Sequence, residues 1–271
     1  MTLSLVLVGC GNMGFAMLSG WIRSGKLAPS EVFVIEPNET LRDRAQALNV
    51  AVGSAVSDLP ADAAPQLIVI AVKPQVIRDA VAAYKQFGSS ATTFVSIAAG
   101  TPVKTFEEIL GDATPVLRCM PNTPAAIGKG MMVTYANRHV SAETKAHISD
   151  LLSASGEVAE IEEEGLMDAV TAVSGSGPAY IFHFIECLTS AAEAAGLPEK
   201  TAKQLAMQTV YGAACLAAQS GTEPAELRRQ VTSPNGTTAA ALEILMGDDK
   251  LKSLVTKAVE AARNRSVELG S

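Results

Sequence analysis

L-S-L-V-L-V-G-C-G-N-M-G, residues 3 to 14, decides the fold. Its first half, Leu3 to Gly9, reads as a strand buried on both faces, and Asn12 to Ser24 reads as a helix with Met13, Ala16, Met17, Trp21 and Ile22 on its apolar side. Between them stand Gly9, Gly11 and Gly14. The first glycine permits a tight turn, the second lets backbone N–H groups approach a pyrophosphate, and the third lets the helix lie close to the sheet. With Asn12 and Met13 these residues form a phosphate cradle at a helix N-terminus. Such a fingerprint needs an acidic residue about twenty positions on. Glu36 supplies it, 22 positions after Gly14 and at the end of a second strand, E-V-F-V-I-E (31 to 36).

Outward from this unit the alternation continues. Strands are expected at 66–72, 92–98, 115–120 and 131–136, with a helix from Asn38 to Leu48 and helical stretches after Pro74, Pro102 and Ser141. Apolar strands separated by helices imply a parallel, doubly wound sheet, a Rossmann-like α/β domain. From about Glu164 no strand pattern remains. Helices are expected at 179–195, 199–218, 223–231 and 238–269, the last interrupted near Gly247, with Gly196, Pro198, Gly221 and Pro224 as stop and start signals. The expected division is a dinucleotide-binding domain over 1–162 and an all-helical dimerisation and substrate-binding domain over 163–271. Ala-rich helices of this kind leave apolar faces that one chain cannot cover, which points to a homodimer.

Composition agrees and excludes other classes. Of 271 residues 48% are hydrophobic and 18% charged, which excludes intrinsic disorder, and only 4% are aromatic, so packing relies on aliphatic and small side chains. The net charge is 21 − 28 = −7 with no basic block, which argues against nucleic acid or an anionic membrane as partner. A small-molecule substrate fits better. Cys10, Cys119, Cys187 and Cys215, and His139, His147 and His183, fall in no metal-ligand spacing, so no metal is expected. The run Leu3 to Val8 lacks a basic flank and is too short for a signal peptide, and no apolar stretch has membrane-spanning length, so the expected compartment is the cytoplasm.

A carboxylate at Glu36 accepts hydrogen bonds from the ribose of NADH and repels the 2′-phosphate of NADPH. Arg42 and Arg44 could instead bind that phosphate. The leaning is to NADH over NADPH. Further cofactor contacts are expected where strands end: Ala71, Val72, Lys73 and Pro74 after one strand, Ala98 and Ala99 after the next, and Asn122 in M-P-N-T-P (120 to 124). The loop V-T-S-P-N-G-T-T (231 to 238) gathers Ser233, Thr237 and Thr238 at a helix start, a neutral receptor for a carboxylate. Ordinary helix capping by Ser233 or Thr237 is its plain alternative.

Taken together, G-C-G-N-M-G (9–14), A-V-K-P (71–74), C-M-P-N-T-P (119–124), S-G-S-G-P-A-Y (174–180) and V-T-S-P-N-G-T-T (231–238) resemble the Δ1-pyrroline-5-carboxylate reductases of proline biosynthesis. The resemblance implies a Rossmann domain that binds NAD(P)H and a helical domain that forms an interlocked dimer, in some members a decamer. It implies hydride transfer to C5 of a cyclic imine to give L-proline. It also implies a substrate carboxylate held by Ser233, Gly236, Thr237 and Thr238, an acidic residue at Glu164 near the substrate, and nicotinamide-side residues Ala71, Lys73, Pro74, Ala98, Ala99 and Asn122. Two departures stand out. Asn235 occupies a position where glycine is common, which asparagine can tolerate if it adopts a left-handed conformation, and Glu36 stands where many members carry a small or basic residue suited to a 2′-phosphate.

A protonated imine needs little acid or base help, so positioning is the expected source of catalysis, with Thr238 the candidate to meet the ring nitrogen. A rival, the β-hydroxyacid dehydrogenases, uses a lysine base on the first long helix of the second domain, whereas this helix has none before Lys200. A dinucleotide-binding regulator without turnover is the other alternative. His183 reads as a packing or interface residue. Cys10 reads as a requirement for a small side chain, and a redox role would demand a low pKa and exposure.

Overall fold

In the computed structural model, residues 3–88 and 91–270 are described; the ends of the two expected domain ranges, residues 1, 2 and 271, lie outside them. The sheet grows from Leu5–Val8 (β1), four residues buried on both faces. The glycine loop follows, then Asn12–Arg23 (α1). Next come Val32–Ile35 (β2), Glu39–Gln46 (α2), Ala51–Gly53 (β3) and Leu67–Ile70 (β4). Ile77–Ala82 (α3), Thr93–Ser96 (β5), Val103–Leu110 (α4) and Val116–Met120 (β6) continue the alternation, and Gly130–Ala136 (β7), Ala142–Ser153 (α5) and Gly156–Glu160 (β8) end it. The strand order is β3-β2-β1-β4-β5-β6-β7-β8. Leu5 pairs in register with Val32 on one side and Leu67 on the other, so the chain reverses direction of growth between β1 and β4. Ligands of doubly wound sheets bind in the crevice at that switch point.

Period-two alternation sorts the strand side chains between two apolar layers. Leu5, Leu7, Val34, Val69 and Leu117 face Met17, Leu18 and Trp21 of α1 and Ile148, Leu151 and Leu152 of α5. Val6, Val8, Ile68, Ile70 and Phe94 face Ile77 and Val81 of α3 and Phe106 and Leu110 of α4. The Trp21 indole N–H donates to the Leu151 carbonyl at 3.1 Å, so the largest side chain of the first layer also ties α1 to α5.

Three features depart from the sequence expectation. β3 and β8 were not anticipated: β3 is three residues long and β8 is half-buried or exposed throughout, so neither presents an apolar run. The sheet is also not wholly parallel. β7 runs antiparallel to β6, because residues 121–129 between them are too few for a parallel crossover, which needs roughly a dozen or more.

Beyond the sheet, a short helix Met167–Val170 (α6) widens into a π-helical turn at Thr171–Gly175. Gly177–Ala194 (α7), Glu199–Gln219 (α8), Pro224–Gln230 (α9), Thr237–Met246 (α10) and Lys250–Gly270 (α11) follow. The chain divides into two compact units, one of residues up to Ser176 and from Ala262 on, the other of Gly177–Ala261. The strand pattern stops near residue 162, whereas the compact sheet unit runs on to Ser176 and takes in the last turns of α11. Within Gly177–Ala261 only Ala202 and Ala206 are buried. Phe182, Phe184, Tyr211, Ile244 and Leu254 stand exposed, Ile244 at 69% and Leu254 at 66%. So little burial cannot offset the entropy of ordering these helices, and the apolar surface is of the kind a partner covers. No described helix is long and apolar enough to cross a membrane.

Candidate active site

The glycine loop is shaped by what its missing side chains would strike. Gly9 has φ +90°, and a Cβ there would lie 2.8 Å from the Ala71 carbonyl oxygen. A Cβ on Gly14 would lie 2.5 Å from the Gly9 oxygen, with the Ala71 methyl also against it. The loop is thereby packed on the end of β4, which brings Ala71 and Val72 beside Gly9. Gly11 is different: a Cβ there would meet nothing within 4 Å. It is the N-cap of α1 with no side-chain cap, so the first N–H groups of the helix have no intrahelical acceptor. The pyrophosphate of a dinucleotide fits both the space and the sign of the charge.

Glu36 is buried, only 7% exposed, and its carboxylate meets the loop at Cys10. Its Oε2 accepts the Cys10 N–H at 2.7 Å and its Oε1 the Asn38 N–H at 2.9 Å, leaving each oxygen a second acceptor site. The two arginines that could have served a phosphate are engaged with backbone. Arg42 donates to the Glu36 and Pro37 carbonyls, and Arg44 donates to Cys10 O at 2.8 Å and Gly11 O at 3.2 Å while its guanidinium lies 4.1 Å from the Phe15 ring centroid. Arg44 thus braces the loop from behind, a role sequence spacing could not show. Burial pushes the Cys10 thiol up to about 11, against a smaller lowering by Arg44, so it stays protonated and unreactive at neutral pH.

Lys73 is exposed just before the turn Pro74–Val76, and Ala98 is buried and Ala99 half-buried in the loop that follows β5. Asn122 uses both ends of its carboxamide on backbone: Oδ1 accepts the Met131 N–H at 2.8 Å and Nδ2 donates to Ser174 O at 3.0 Å. It anchors the π-helical turn. Glu164 is likewise engaged, its Oε1 accepting from Arg118 Nη1 at 2.6 Å and from the Val103 N–H at 2.8 Å. Arg118 was not anticipated, because an arginine within an apolar strand gives no hint of its partner. His183 is exposed on α7 and bonds Glu186 Oε2 at 3.0 Å, one helical turn away.

Ser233, Gly236, Thr237 and Thr238 lie in the helical unit. Gly236 is the N-cap of α10, and no side chain caps that helix. The plain alternative, capping by Ser233 or Thr237, is therefore not what the chain does. Instead the Gly236 N–H donates to Ser233 O at 3.0 Å, folding the loop into a turn. Asn235 takes φ +58°, a left-handed conformation that asparagine tolerates better than most residues. Among the described residues, no three His, Cys, Asp or Glu side chains gather as metal ligands.

Residues 164–269 match the family model described as pyrroline-5-carboxylate reductase dimerisation, and residues 4–100 match one described as NADP oxidoreductase, coenzyme F420-dependent. The chain is 40% identical over 265 residues to a pyrroline-5-carboxylate reductase of Pseudomonas aeruginosa, covering 98% of this chain and 96% of that one. The chain belongs to the pyrroline-5-carboxylate reductase family. Two solved reductases have the same fold along their whole length. That of Coxiella burnetii is 33% identical with a TM-score of 0.93 and full coverage of both chains. That of Plasmodium falciparum, a structure with NADP bound, is 30% identical with a TM-score of 0.85 over 99% of this chain and 98% of its own. The rival reading as a β-hydroxyacid dehydrogenase gives way to this membership, and the exposed apolar helices of the reductase coincide with the family's dimerisation segment.

Proposed function

We propose that the chain transfers hydride from NAD(P)H to C5 of 1-pyrroline-5-carboxylate to give L-proline, with NADH preferred. It acts as a cytoplasmic homodimer, and a decamer is the larger assembly that the family resemblance implies. The division of labour follows the two parts of the sequence, cofactor binding over 1–162 and substrate binding and dimerisation over 163–271. The observation that carries the reading is the amino end of α10, whose N-cap Gly236 supplies no side-chain cap, so that its first backbone N–H groups are free to serve an anion.

When bound, the reduced nicotinamide supplies a hydride. The chain's own residues bind and orient. Gly9, Gly11, Asn12, Met13 and Gly14 receive the pyrophosphate, Glu36 the adenosine ribose, and Lys73 adds a cation beside Ala71, Val72 and Pro74. The small side chains of Ala98 and Ala99 leave room for the nicotinamide, with Asn122 holding the adjoining turn in place. Ser233, Gly236 and Thr237 fix the substrate carboxylate, and Thr238 holds the ring nitrogen. No general base is required, because the protonated imine is already an electrophile and hydride addition neutralises it.

Oxidation of NADH and of NADPH, followed by absorbance with pyrroline-5-carboxylate as acceptor, tests the reading. Turnover with both, faster with NADH at equal concentration, is expected. Absence of turnover with either cofactor overturns it.

A further inference from the structure

The loop between β5 and α4 carries Ala98 and Ala99, and it is held from outside the sheet at two points. At its far end the Val103 N–H donates to Glu164 Oε1 at 2.8 Å. That same oxygen meets Arg118 Nη1 at 2.6 Å, and the Arg118 side chain is only 8% exposed. A buried guanidinium demands a carboxylate, so Arg118 fixes where Glu164 stands, and Glu164 in turn fixes where the loop ends. At its middle, Gly100 has φ +70° and lies against the last residues of α11: a Cβ on Gly270 would come 2.5 Å from the Gly100 oxygen. That end of α11 is itself fastened, because the buried Ser266 donates its hydroxyl to Asp168 Oδ1 at 2.6 Å, one helical turn beyond Glu164. All of these residues belong to the sheet unit. They form a closed circuit: Gly100 to Gly270, Ser266 to Asp168, Glu164 to Val103.

We infer that Glu164 is a positioning residue for the nicotinamide-side loop and not a ligand of the substrate, with Arg118 holding it and Ser266 bracing the same loop through α11. The inference rests on the reading of Ala98 and Ala99 as nicotinamide contacts. The adenosine and pyrophosphate half of the cofactor is held elsewhere, by the glycine loop and Glu36. Loosening the circuit therefore weakens one half of cofactor recognition and spares the other. A general loss of structure spares neither.

ADP-ribose, which lacks the nicotinamide, separates the two halves. Equilibrium titration of the intact protein with NADH and with ADP-ribose compares wild type, Glu164→Gln and Ser266→Ala. Both variants are expected to weaken NADH by roughly five- to tenfold, the scale of the net worth of one ordinary hydrogen bond. Their ADP-ribose affinity and their KM for the imine are expected to stay within about twofold of wild type. Ser266→Ala leaves the Arg118 pair intact, so it carries the test where Glu164→Gln unfolds. Equal weakening of NADH and ADP-ribose, or no weakening of either, overturns the inference. So does a raised KM for the imine with unchanged NADH affinity, the signature of a substrate ligand. A wild type that binds ADP-ribose but gains nothing from the nicotinamide overturns the underlying cofactor reading instead.

Discussion

The carboxylate of Glu36 accepts the backbone N–H of Cys10 at 2.7 Å, so the acid that follows β2 and the second residue of the glycine loop form one unit. On the proposed reading, in which Glu36 also meets the ribose, cofactor choice and loop shape are linked. Glu36→Ser removes the charge that repels a 2′-phosphate along with a ribose acceptor. The ratio of kcat/KM for NADH to that for NADPH is expected to fall at least about tenfold, equal to ~1.4 kcal/mol. Glu36→Gln keeps an acceptor for one N–H and should fall less. Initial rates with both cofactors check this, and an unchanged ratio in Glu36→Ser removes the basis for an NADH preference.

Gly11 and Gly14 should respond in opposite ways to the same methyl group. In Gly14→Ala the new methyl meets the Gly9 carbonyl oxygen at 2.5 Å, a backbone atom that cannot turn aside, so stability should drop by about 1–3 kcal/mol. In Gly11→Ala it enters open space, so the melting temperature should hold while KM for the cofactor rises severalfold. Thermal unfolding and cofactor titration of both variants decide the matter. A destabilised Gly11→Ala would contradict the open geometry.

At α10 the turn ending in Gly236 leaves the first N–H groups without a side-chain cap. Thr238→Ala is expected to lower kcat/KM for the imine by roughly tenfold or more, with unchanged KM for the cofactor. If kcat/KM stays at the wild-type value, Thr238 does not meet the ring.

Burial raises the Cys10 thiol from 9.0 to about 11. Below pH 9 the thiol is protonated whether the chain is folded or not. Between pH 9 and 11 the unfolded chain releases the proton and the native chain keeps it, so stability declines as pH rises through that window. Urea midpoints measured from pH 8 to 10.5 should fall less steeply in Cys10→Ala than in wild type. Parallel slopes would show that the thiol is not shielded.

Because Ala202 and Ala206 are the only buried residues of Gly177–Ala261, folding of that unit should depend on a second copy. Mass action then ties stability to concentration. A hundredfold increase in protein should add about 2.7 kcal/mol and raise the melting temperature by a few degrees. Scanning calorimetry over that range checks it, and a constant melting temperature with a monomer in sedimentation would refute it.

Much of this was legible in the chain itself. The run Leu3–Val8, the spacing of Gly9, Gly11 and Gly14, and Glu36 at the end of the second strand specify the cofactor half, because strand, turn and helix there are set by neighbours a few residues apart. Asn235 is a different case: the family resemblance set it where glycine is common, and its φ of +58° meets the condition under which asparagine is tolerated there. The helical end of the chain showed its nature through the loss of any strand pattern after Glu164.

Contacts between distant residues were not legible. β3 and β8 lie at sheet edges, where no apolar run is needed, and the antiparallel turn of β7 follows from a connection too short to cross the sheet. Glu164 was legible only through the family resemblance, as an acid before the S-G-S-G segment and near the substrate, and its partner Arg118 lies 46 residues earlier in the chain. Arg42 and Arg44 offered two cations to a phosphate, and folding gave both to carbonyl groups. The sequence by itself determined the fold class and the family, since the first rests on the local spacing of strand, turn and helix and the second on motifs a few residues long. Only the tertiary structure decided which charged side chains remain available to a ligand, because a buried charge takes whatever partner the packed chain brings to it.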